Sequence, residues 1–140
     1  MSATPFRTQV LLHGDQTNGE VSVVENLVPA DWAGPPLHHH AFDEAFYVLE
    51  GKLTFQVAGA LITAGPGELT FASRGIHHTL ANRNGVAGRY LLICTPAGFE
   101  RYFARIAAEQ AGVEPPSWAQ GPIPDVSRVG PQIGERAIEE

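Results

Sequence analysis

The chain has 140 residues, 44% of them apolar, and a formal net charge of −6 with Lys52 as its single lysine. That length suits one domain around one core, and eight thinly spread arginines offer no basic stripe for a phosphate backbone, which argues against nucleic-acid binding. No apolar run approaches the roughly 20 residues of a membrane helix, and Met1–Pro5 lack a charged segment followed by a hydrophobic one, so the expectation is a cytoplasmic protein without a membrane partner.

Fifteen glycines and 11 prolines in so short a chain point to tight turns between short strands, an all-β composition. Strands are expected at 9–12 and, after a turn at 14–19, at 21–28, where β-branched residues recur. Pro29, Gly34, Pro35 and Pro36 then break regularity and deliver an extended chain to the histidines. A hairpin follows from strands 44–50 and 53–57 around Gly51-Lys52, with Leu53, Phe55 and Val57 on one face. Further strands fall at 61–63, 68–72, 78–81 and 89–95, a recurrence of 8 to 12 residues typical of sandwiches and barrels. Beyond Pro96-Ala97-Gly98, residues 99–111 form an amphipathic helix. Phe99, Tyr102, Phe103, Ile106 and Ala107 occupy one face and Glu100, Arg101, Arg105 and Glu109 the other. Residues 112–140 read as an extended tail that Trp118 and Ile123 could tack down. The whole is one domain, with a barrel over about 8–96.

Five of the six histidines cluster as His38-His39-His40 and His77-His78, and Glu44 follows His40 by four positions. Neutral imidazoles with a carboxylate are a donor set for a divalent metal. The period of a strand puts His38 and His40 on one face and His39 on the other, and it separates His77 from His78 without choosing between them. Cys94 is the only cysteine, so an internal disulfide and a thiolate zinc cluster are both excluded. With no base placed beside it, Cys94 reads as a small core residue.

Gly34, His38, His40, Glu44 and Gly51 resemble the first motif of the cupin family, although the gap from Gly34 to His38 is shorter than usual. Gly67, Gly75, His78 and Asn82 resemble the second, with Ser73 where proline is common. The resemblance covers about residues 8–131 and extends to small bacterial cupins labelled quercetin 2,3-dioxygenase-like. It implies a double-stranded β-helix, or jelly roll. It also implies His38, His40, Glu44 and His78 as ligands of one divalent metal ion (Fe, Mn, Ni, Co, Cu or Zn), and a homodimer paired through sheet edges. His39 and His77 fall on non-ligand positions, His13 on a turn, and Asn82 on a turn-stabilising one.

Strand parity places Phe46 and Val48 with Glu44, and Leu80 with His78; with Phe55, Phe71 and Ile93 they are the expected pocket wall. An apolar wall over a metal suits a small aromatic or enediol substrate better than a sugar phosphate. The leading expectation is therefore a metal-dependent dioxygenase in which Glu44 ligates or takes the substrate proton. The alternatives are an isomerase, cyclase or decarboxylase that uses no oxygen, and a non-catalytic binder.

Overall fold

The computed structural model describes residues 5–134. Strands β1 (Arg7–Leu12) and β2 (Ser22–Val28) pair antiparallel around a 3-10 turn at Gly14–Gln16. They are followed by β3 (His38–His40), β4 (Asp43–Glu50), β5 (Leu53–Val57), β6 (Ala60–Ala64), β7 (Leu69–Ala72), β8 (His78–Ala81) and β9 (Gly88–Thr95). A helix, α1 (Glu100–Ala111), and a late strand, β10 (Val126–Arg128), complete the order. The strands assemble as two five-stranded sheets, β1-β2-β9-β4-β7 and β10-β3-β8-β5-β6, which is the expected jelly-roll architecture.

Alternation builds the interior. Along β2 and β9 every second residue is buried, so that Val24, Val28, Tyr90, Leu92 and Cys94 face inward from the first sheet. Leu53, Phe55 and Leu80 meet them from the second, and the burial of each such side chain contributes about 1.5–3 kcal/mol. Two motif glycines make the close approaches that hold the site's strands. A Cβ on Gly34 (φ +72°) would lie 1.8 Å from the Leu80 carbonyl oxygen, and one on Gly51 (φ +76°) 2.8 Å from that of Ala87. At both, a side chain would meet rigid backbone in a left-handed conformation.

The helix keeps its expected facing at Phe99, Phe103 and Ile106, which pack on the core, and departs from it at Tyr102 and Glu100. It buries Glu100, Phe103, Ala104 and Ala108, whereas Tyr102 is 44% exposed. The cause is Glu100, whose two carboxylate oxygens accept the Gly14 N–H at 2.8 Å and the Gly98 N–H at 2.6 Å. A carboxylate in the first helical turn also complements the helix dipole, so this acid is stable inside.

The tail departs further. Ser117–Ala119 form a 3-10 turn whose Trp118 stacks on His13 at 4.0 Å, and β10 then adds a fifth strand to the histidine-bearing sheet. Three residues are too few to carry a periodic signal, and only the edge of β3 reveals the partner. Residues 135–140 of the expected tail lie outside the described residues. Among the described residues no helix is long and apolar enough to cross a membrane.

Candidate metal centre

His38 and His78 are paired directly across β3 and β8. Residues opposed in an antiparallel pair share a face, and His40, two positions on, joins them. Glu44 approaches from β4 in the other sheet, so the four side chains meet in the interior between the sheets. One donor atom from each lies within 4.8 Å of the rest, and all four residues are buried. His39 and His77 are on the outer side, where their rings stack 5.2 Å apart.

Each of the three inner imidazoles is oriented by the chain itself. Nδ1 of His38 donates to the Pro36 carbonyl at 2.7 Å, that of His40 to Phe42 at 2.9 Å and that of His78 to Ile76 at 2.8 Å. A carbonyl only accepts, so the proton of each neutral ring belongs on Nδ1 and the lone pair on Nε2. Yet Nε2 of His40 and Nε2 of His78 both face Glu44 Oε1, at 2.7 and 2.6 Å. Two bare lone pairs against an ionised oxygen would repel, so positive charge is required at this point, either protons or a metal cation. The donor set fits a divalent metal, with backbone carbonyls fixing the tautomer of each ligand.

Without such a cation the residues carry the charge themselves. Burial, the largest influence on Glu44, acts to raise its pKa, but hydrogen bonds from His40 and His78 and their positive charge prevail and hold it at about 2. His78 is opposed by burial in the same way and is nevertheless raised by its hydrogen bond and attraction to Glu44. His38 lacks that bond, and burial lowers it. Cys94 lies across the β4–β9 pair from Glu44, with Sγ 3.9 Å from Oε2. Burial and the Glu44 charge push its thiol well up, so it stays protonated in the core.

A cavity of about 490 Å³, within the usual range for small-molecule sites, opens onto His38 and Glu44. Phe46 and Leu80 line it as expected. Val48 and Phe55, fully buried, belong instead to the core. Phe71 and Ile93 are not on the wall. Phe71 is 54% exposed and Ile93 is half-buried, and both pair with Ala45 on the outer face of their sheet. The inner positions of β9 are Tyr90, Leu92 and Cys94, but a strand apolar on both faces gives no alternation from which to read its parity. In β7 the usual order is inverted: small Ala72 faces Glu44, and bulky Phe71 is turned out.

The remaining wall was missed at the level of sequence. Trp32 comes from the proline-rich loop, Phe99, Tyr102 and Ile106 from the region of α1, and Val126 and Arg128 from β10. The Tyr90 phenol accepts a hydrogen bond from Asn26 Nδ2 at 3.1 Å, and burial raises its pKa, so it remains neutral. Asn82, as expected, stabilises a turn: its amide donates to the carbonyls of Pro29 and Val86, and its oxygen accepts the Asn84 N–H.

The sequence has no significant match among curated proteins. The structure resembles the polyketide cyclase RemF from Streptomyces resistomycificus, with 25% identity, 66% of each chain covered and a TM-score of 0.57, just under two thirds of that enzyme's length. It also resembles a predicted oxalate decarboxylase from Thermotoga maritima (19% identity, 65% of this chain and 80% of that one, TM-score 0.61). A third similar structure is KdgF from Halomonas sp. (14% identity, 71% and 90% covered, TM-score 0.59). These last two likenesses bear on the fold alone. The cupin domain family matches residues 23–94, slightly more than half of the chain and a span that includes His38, His40, Glu44 and His78, and the protein accordingly belongs to the cupins.

Proposed function

We propose that this cupin is a metal-dependent enzyme acting on a small aromatic or enediol-type substrate, with a dioxygenase reaction as the leading assignment. The observation that carries the proposal is the set of Nδ1-anchored imidazoles whose Nε2 atoms converge with Glu44 beneath an aromatic cavity. His38, His40, Glu44 and His78 would hold the ion. When bound, a divalent metal there supplies Lewis acidity toward a substrate hydroxyl or enolate oxygen and, for a redox-active ion, access to dioxygen chemistry.

The chain's own residues supply the rest. Phe46, Leu80 and Leu92 exclude water from the face of the substrate, and Trp32 and Phe99 offer ring surfaces on which a flat molecule stacks. Glu44 completes the ligand set or takes the substrate proton.

The likeness to RemF favours a second reading, in which the same residues promote a cyclisation, isomerisation or decarboxylation without oxygen. Elemental analysis of the purified protein joined to oxygen-uptake assays with flavonols and enediols separates the two. Metal-free protein sinks both readings, turnover without oxygen uptake selects the second, and a ligand recovered unchanged identifies a binding protein. We further read the protein as a cytoplasmic homodimer. The edge strand β7, where Leu69 and Phe71 stand 56% and 54% exposed, supports pairing, and light scattering of a Phe71→Lys variant tests it.

A further inference from the structure

We infer that Arg128 forms an anion subsite on the wall of the cavity, so that the preferred substrate is a flat, largely apolar molecule bearing a carboxylate or comparable anionic group. The inference rests on the cavity's being the substrate site, as proposed above.

The C-terminal segment returns to the metal centre in a defined register. Arg128 is paired with His38 and Val126 with His40 across β10 and β3. Directly paired residues share a face with Cα atoms about 4.5–5.5 Å apart, so the strand that carries two of the candidate ligands is flanked by a guanidinium and an isopropyl group facing the same way. Both line the cavity with His38 and Glu44. Among the described residues that line it, Arg128 is the only lysine or arginine and Glu44 the only carboxylate.

Four other arginines around the barrel are engaged, and Arg7, Lys52 and Arg83 do not line the cavity. Arg89 bridges Glu25 and Glu50, Arg74 pairs with Asp43, and Arg101 and Arg105 donate to backbone carbonyls of the C-terminal segment. Among the described residues Arg128 has no carboxylate within ion-pairing distance and no side-chain hydrogen bond. Arg128 is exposed on an edge strand, where an arginine can serve simply to blunt the edge, and what goes beyond that role is its place among the residues that line the cavity. Its planar fork matches a carboxylate bidentately. With the anion held at Arg128, the ring system is directed along the aromatic wall toward His38 and Glu44.

Calorimetric titration of the metal-loaded protein with 2-naphthoate and with its neutral isostere 2-naphthamide tests the subsite. The wild type is expected to bind the acid about tenfold more tightly than the amide. Arg128→Gln should abolish that preference, weakening the acid more than the amide, without changing metal content, and Arg128→Lys should restore part of it. An acid preference that survives Arg128→Gln overturns the inference and places the carboxylate at the metal centre, leaving the cavity reading intact. Failure of both probes to bind the wild type overturns the inference together with the cavity reading.

Discussion

His78 Nε2 lies 2.6 Å from Glu44 Oε1, although the residues are 34 positions apart and stand in different sheets. The contact joins the two layers of the barrel at their centre, and it combines an ionised carboxylate with an imidazole whose other nitrogen is already committed to a backbone carbonyl. It is the point at which proton and metal compete for the same lone pairs.

Removal of donors should therefore be position-specific. His78→Ala is expected to abolish stoichiometric divalent-metal binding, and Glu44→Gln to weaken it at least about tenfold, or about 1.4 kcal/mol. His77→Ala and His39→Ala should leave it unchanged, since those rings stack on the outer side. Calorimetric titration with Mn, Fe, Ni and Zn salts gives the comparison, and equal losses at His77 and His78 would count against the assignment.

The metal-free protein should have a stability window set by the same pair. Glu44 is depressed from 4.5 to about 2, so its contribution is present above pH 4.5 and is lost as pH falls toward 2. His78 is raised above 6.5, so its contribution is full below 6.5 and is lost as pH rises through the elevated value. The pair thus supports the fold between those limits, by up to about 3 kcal/mol. Urea unfolding of chelator-treated protein from pH 3 to 9 should show a flatter profile for Glu44→Gln than for the wild type.

The two phenylalanines assigned alike from sequence should behave differently. Phe55→Ala, which empties a fully buried position, should cost about 3–5 kcal/mol in denaturant unfolding. Phe71→Thr, on the outer face, should change monomer stability by no more than about 0.5 kcal/mol and leave metal affinity untouched.

Glu100 ties the helix to the barrel through two backbone N–H groups. Glu100→Ala strands both donors and should destabilise the protein by about 2–4 kcal/mol, with Gly14 and Gly98 amides exchanging faster by NMR. Tyr102→Ala, at a more exposed position of the same helix, should cost far less.

Local periodicity and residue chemistry make much of this protein legible in its sequence. Glycine and proline placed the turns and the period of two placed the strands. The facing of His38 with His40, against His39, followed because strand parity is a local property of the backbone. The motif spacing, as a family resemblance, supplied His78 and Glu44, and the structure brings both beside His40. Parity failed where a strand is apolar on both sides, as in β9, or reversed, as in β7, because pattern then carries no sign. The inward turn of Glu100, the pairing of Arg128 with His38 and the aromatic wall from α1 depend on contacts between segments distant in the chain. Local sequence determined what each segment could become. Only the packing of one sheet on the other decided which side chains share an interior, because burial and hydrogen-bond satisfaction are properties of the assembled fold.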